Sequence, residues 1–114
     1  MKRFLLMLVL IVALTGTATA AEEVCISITA QNTFTDTLVI EGPLQVSVED
    51  TSSMSMTITL QRLHYATGSY IDVTGDITEE GVYTVSDGGG ATWRVGCKTG
   101  DYTSGTASVC LLGD

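Results

Sequence analysis

The chain has 114 residues, 45% hydrophobic and only 6% aromatic, with five basic against thirteen acidic side chains, a size that allows one domain. It favours Thr, Ser, Val, Ile and Gly over the Ala, Leu, Glu and Lys of helical bundles, which argues against an all-helical fold. A formal charge of -8 repels phosphate backbones and anionic lipid, which argues against nucleic-acid partners and electrostatic membrane adhesion.

The first twenty residues read as a secretory signal peptide. Lys2 and Arg3 give a positive start, Phe4 to Leu14 is an unbroken apolar run, and Ala18-Thr19-Ala20 is a small-residue cleavage pattern before Ala21. The run is shorter than the ~20 apolar residues of a bilayer-spanning helix, so export is expected over anchoring, with only transient membrane contact. Cys25 lies beyond the cut, which disfavours acylation there. Residues 21–114 then form the mature domain, with Arg62, Arg94 and Lys98 as its basic side chains and all thirteen acids retained.

Along the mature chain the dominant signal is period-two alternation, the mark of half-buried strands. Val24, Ile26 and Ile28 alternate with Cys25, Ser27 and Thr29, and Thr37 to Glu41 forms a β-branched run closed by Gly42-Pro43. Leu44, Val46 and Val48 alternate next, and Asp50-Thr51-Ser52-Ser53 reads as a polar turn before a strand through Met54, Met56, Ile58 and Leu60. Tyr65 to Ser69 turns the chain, and Tyr70 to Val73 starts a short strand. Gly75 to Gly81 reads as an acidic connection and Val82 to Ser86 as a strand; Asp87-Gly88-Gly89-Gly90 reads as the loosest loop. Two closing strands, Thr92 to Lys98 and Thr106 to Leu112, flank Gly100-Asp101-Tyr102-Thr103-Ser104-Gly105 as the turn of a hairpin. About eight short strands and no helical period predict an antiparallel all-β sandwich or small barrel. Trp93 is the expected centre of the core, with Tyr83 and Ile58 as neighbours.

Three cysteines remain after cleavage. A hairpin symmetric about the Thr103-Ser104 bond places Cys97 opposite Cys110, at a separation a disulfide spans, so these two are expected to pair. Cys25 is then free, buried or available for an intermolecular bond.

Residues that carry chemistry are sparse. His64 is the sole histidine, in a strand-like run without a local triad motif, and one histidine with an oxidised cysteine pair falls short of a four-ligand zinc site. Gly96-Cys97-Lys98-Thr99 imitates the end of a phosphate-binding loop, but a cysteine separates Gly from Lys and no helix follows. Asp72, Asp76, Glu79 and Glu80 offer oxygen ligands without the twelve-residue calcium-loop spacing. No catalytic residue, metal or cofactor is expected, and the chain reads as a non-enzyme.

Ile58-Thr59-Leu60-Gln61-Arg62, Tyr70-Ile71-Asp72-Val73, Glu80-Gly81-Val82-Tyr83, Trp93-Arg94-Val95-Gly96-Cys97-Lys98 and the Gly100-Asp101-Tyr102-Thr103-Ser104-Gly105-Thr106 turn together resemble small β-sandwich domains of tailed phages and prophages. The resemblance implies an immunoglobulin-like sandwich of seven to eight strands whose last hairpin carries that turn, notably Gly100, Asp101, Tyr102 and Gly105; it implies no catalytic residues. A signal peptide and an added disulfide fit an exported copy of such a domain. Three functions follow as expectations. The first is an exported, phage-derived binding or structural module, periplasmic or extracellular, that contacts a protein or glycan. The others are a virion decoration or fibre component, and a small exported hydrolase.

Overall fold

The computed structural model describes residues 22–113, and the signal-peptide reading of residues 1–20 lies outside them. Nine antiparallel strands form two sheets: β1 (Glu22–Ile28), β2 (Thr33–Phe34), β3 (Leu38–Ile40), β4 (Leu44–Met56), β5 (Ile58–Leu63), β6 (Tyr70–Ile77), β7 (Gly81–Val85), β8 (Ala91–Cys97) and β9 (Tyr102–Gly113). One sheet has the order β1-β9-β4-β7; in the other, β2 and β3 share one edge of β8, followed by β5 and β6. The expected all-β antiparallel sandwich is therefore present.

The strand order differs from the immunoglobulin arrangement. Except between β2 and β3 and between β5 and β6, every connection crosses from one sheet to the other, which interleaves two Greek keys as in a jelly roll. The closing strands illustrate this: β8 lies in one sheet and β9 in the other, so the expected terminal hairpin does not form. The turn spans Lys98 to Asp101, where the Asp101 amide donates to the Lys98 carbonyl at 3.1 Å, and the chain then leaves β8 for the opposite sheet. The Asp101 carbonyl receives the Thr57 amide at 2.9 Å, and the Gly100 amide donates to Gln31 Oε1 at 2.8 Å. Gly100 and Asp101 thus form a sheet-to-sheet crossover, whereas Tyr102 and Gly105 belong to β9.

Without that hairpin the expected Cys97–Cys110 pair fails. Cys110 faces Cys25 across the β1–β9 ladder, and these two form the disulfide at a Cα separation of 4.0 Å; Cys97 is the free, buried cysteine. Pleat parity explains the outcome. Val24, Ile26 and Ile28 pack on or in the core, as do Val109 and Leu111, so Cys25 and Cys110 both point to the outer face. Cys97 shares the inward parity of Trp93 and Val95. Burial raises its thiol pKa, reinforced by the negative charge of Asp101. A disulfide reagent should therefore leave the folded protein unlabelled and modify Cys97 only after denaturation.

The core lies between the sheets and is built from alternate residues, among them Ile28, Ile40, Leu60, Val95, Val109 and Leu111. Trp93 is 2% exposed, and its indole N–H donates to the Gly88 carbonyl at 3.0 Å. That bond belongs to a set which makes the Asp87-Gly90 segment an anchored connection instead of the loosest loop. Gly88 and Gly90 donate to the Gly42 and Ile40 carbonyls at 2.7 and 2.9 Å, and Asp87 Oδ1 receives the Gly89 amide at 2.9 Å. Gly88 lies so close to Ile40 that a Cβ would meet its carbonyl.

The polar turn expected at Asp50-Ser53 is instead the middle of β4. The strand pairs with β9 from Leu44 to Met56, absorbing the polar segment through three register shifts. The long partner strand satisfies backbone groups that a turn would have satisfied locally, and the bulges bend β4. Ser53 adopts φ 43° and Gly105, opposite, φ 86°, with the Tyr102 hydroxyl donating to the Gly105 carbonyl at 2.9 Å. A Cβ at Gly105 would strike the carbonyls of Ser52 and Ser53. Gly105→Ala should therefore cost about 2–4 kcal/mol from combined left-handed strain and steric clash, read by urea unfolding.

Candidate functional site

The outer face of the β2/β3-β8-β5-β6 sheet carries the densest side-chain constellation among the described residues. Along β8, Trp93, Val95 and Cys97 turn inward, which sends Arg94 to the opposite face, followed by Gly96 and then Lys98 just past the strand end. Arg94 pairs across the ladder with Gln61 of β5, and Gln61 with Asp72 of β6. The register thus aligns three polar side chains across three strands.

The geometry is tightly determined. Arg94 Nε donates to Gln61 Oε1 at 2.9 Å, Gln61 Nε2 donates to Asp72 Oδ1 at 2.9 Å, and Lys98 Nζ donates to Asp72 Oδ2 at 2.7 Å. The Arg94 guanidinium lies between two rings, 4.0 Å from the Phe34 centroid and 3.8 Å from the Tyr70 centroid. Gly96 permits this arrangement, since a Cβ there would collide with Thr33 and the Phe34 ring. Thr35 holds the short β2 edge in place: its amide donates to the Val95 carbonyl at 2.9 Å and its hydroxyl accepts the Val95 amide at 3.2 Å. Cation–π contact with two rings and a tethered Nε leave the guanidinium little rotational freedom.

Lys98 and Gln61 hold the Asp72 carboxyl below its ordinary value of 3.8, and Asp72 in turn raises the Lys98 ammonium. A depressed carboxylate contributes stability that is present above its ordinary pKa and lost as pH falls through the lower folded value. Both side chains are over a third exposed, so solvent screening keeps the contribution small. Asp72→Asn should therefore lower stability slightly at neutral pH, converge with the parent as pH falls below about 4 and so flatten the acid limb by the same small amount, as followed by thermal melts across pH.

The other residues singled out from sequence fall elsewhere. His64 lies just past β5, where its amide donates to the Ser69 carbonyl at 2.7 Å and its Nδ1 meets the Thr67 amide and hydroxyl at 3.3 Å each, so it closes a turn instead of continuing a strand. The acids considered for calcium are dispersed in role: Asp72 belongs to the polar network, while Glu80 accepts the Asp50 amide at 3.1 Å. The one cysteine-carboxylate cluster among the described residues is Glu23 with Cys25 and Cys110, whose sulfurs are joined in the disulfide. Shallow clefts of about 470 and 400 Å³ lie at Leu44, Val85 and Leu112, and beside His64 and Gly90.

Sequence reasoning missed Phe34 and the Arg94 network. The signal was present in part, because Arg94 and Lys98 are out of phase with Trp93, Val95 and Cys97. Their partners on β2, β5 and β6 depend on a register that alternation does not specify.

No family model matches this sequence, and no curated protein is similar to it. Among solved structures, the chain is similar to the hydroxypropylphosphonic acid epoxidase of S. wedmorenis at 9% identity and a TM-score of 0.47, over 85% of this chain and 44% of that one. It is also similar to the Yersinia pseudotuberculosis-derived mitogen at 15% identity and a TM-score of 0.47, over 83% of this chain and 85% of that one. The chain therefore spans less than half of the epoxidase.

Proposed function

We propose that this chain is an exported, non-enzymatic binding module that recognises a glycan or protein partner, in the periplasm or outside the cell, through the outer face of the sheet carrying Arg94. The observation that carries the reading is the arginine clamped between Phe34 and Tyr70 and tied to Gln61. Ordered aromatic and polar groups on a rigid sheet face lose little freedom when a ligand binds, whereas most surface side chains must first be immobilised. The outer-face disulfide is compatible with an oxidising compartment and supports export together with the N-terminal sequence.

The test has two parts. Intact mass from the producing cells should match residues 21–114 with one internal disulfide, recovered outside the cytoplasm and away from phage particles. Full-length mass would refute the export reading, and co-purification with virions would replace the module with a virion component. Capture on immobilised glycans and on cell-envelope fractions should be lost on Tyr70→Ala, a substitution at the sheet edge. Capture unaffected by Tyr70→Ala would refute this face as the contact surface.

A further inference from the structure

Arg94 is the cation on this face left without a carboxylate partner. Lys98 is paired with Asp72 and also lies in the field of Asp76 and Asp101. Among the described residues no acidic side chain lies within ion-pair distance of Arg94. Its Nε is used by Gln61 and its Cζ lies within 4.0 Å of the Phe34 and Tyr70 ring centroids, so the donors left for new hydrogen bonds are the terminal Nη groups. A planar guanidinium fixed in this way matches a carboxylate, which accepts two parallel N–H bonds from its edge.

We infer that Arg94 is an anion-recognition residue and that the face binds an acidic saccharide through its carboxylate, with the exposed Asp72 and Lys98 placed to meet the neighbouring hydroxyl groups and the buried Gln61 holding Arg94 in place. The inference rests on the binding-module reading and specifies its ligand. A sugar acid fits better than an acidic peptide because this face offers hydrogen-bonding groups and flanking rings on an open sheet. Of the exposed large apolar side chains, Val39 shares this face, paired with Thr92 across the β3–β8 ladder, and is not part of the hydrogen-bonded network. A pyranose ring presents hydroxyl groups to such a surface, whereas peptide recognition generally adds apolar pockets for side chains.

Titration of the 15N-labelled, disulfide-bonded protein with sodium D-glucuronate tests the inference, followed by the Arg94 Nε–H and Gln61 side-chain amide resonances. Saturable shifts of both signals are expected with glucuronate and not with equal concentrations of D-glucose. Arg94→Gln should weaken the response at least tenfold in a variant whose spectrum remains dispersed. Arg62→Gln, whose position pairs with inward-facing Trp93, should leave the response unchanged. Direct observation of the Arg94 signal in the unsubstituted protein keeps the test independent of how the variants fold. No saturable shift, or an equal response to glucose, overturns the inference. An equal or stronger response to N-acetylglutamate amide overturns the saccharide assignment in favour of a peptide carboxylate. If neutral glycans are captured in a Tyr70-dependent manner while glucuronate has no effect, the binding face stands and the acidic ligand falls; if neither interacts, both fall.

Discussion

Removing the disulfide by Cys25→Ser with Cys110→Ser should lower the unfolding free energy by about 4–5 kcal/mol, the chain-entropy value for a closed loop of this size. The cysteines are 85 residues apart, so the bond encloses nearly the whole described domain. It also ties β1, which pairs only with β9, to the interior of its sheet. A domain of this size has about 5–15 kcal/mol in total, so the loss is a large share of its stability. Guanidinium unfolding with and without reductant checks the magnitude, and the double variant should be insensitive to reductant. Non-reducing peptide mapping should recover Cys25 linked to Cys110; a Cys97–Cys110 peptide would contradict the strand order itself.

Trp93→Ala should cost about 3–5 kcal/mol, the usual loss for a large buried aromatic. The buried indole is part of the core between the sheets and also supplies an N–H that meets the Gly88 carbonyl. Trp93→Phe separates the two contributions, retaining most of the apolar volume while leaving the Gly88 carbonyl with the Ala91 amide as its remaining donor, at about 0.5–1.5 kcal/mol. The Gly88 and Gly90 amides should then exchange faster than in the parent, since both bonds depend on the placement of the same loop against Ile40 and Gly42. Exchange unchanged at both amides would show that the loop is held by its backbone bonds alone.

Much of the fold was legible because strand alternation is a local property. Leu44, Val46 and Val48 are buried as their spacing requires, and the same holds for Trp93 and Val95. Parity also contained the cysteine pairing: Cys25 and Cys110 are each out of phase with core-facing neighbours, whereas Cys97 is in phase with them. A symmetric hairpin about Thr103-Ser104 conflicts with that parity, since it joins an inward to an outward position. The two-residue strand at Thr33–Phe34 carries no periodic signal and exists because β8 offers it an edge.

The amino-acid sequence by itself determined the all-β class, the inward parity of Leu44, Val46, Val48 and Val95 and the burial of Trp93, because each follows from the alternation of neighbouring residues. Tertiary structure decided what alternation is silent about: which strands become neighbours. Crossing between sheets after Cys97 placed Cys110 beside Cys25, turned the Asp50-Ser53 segment into a bulged strand against β9, and made Gly100-Asp101 a crossover. The β2, β5, β6 and β8 register then gathered Phe34, Gln61, Tyr70, Asp72 and Arg94 on one face. These residues are dispersed along the chain, and only the hydrogen-bonded ladders of a folded sheet bring such positions within contact distance.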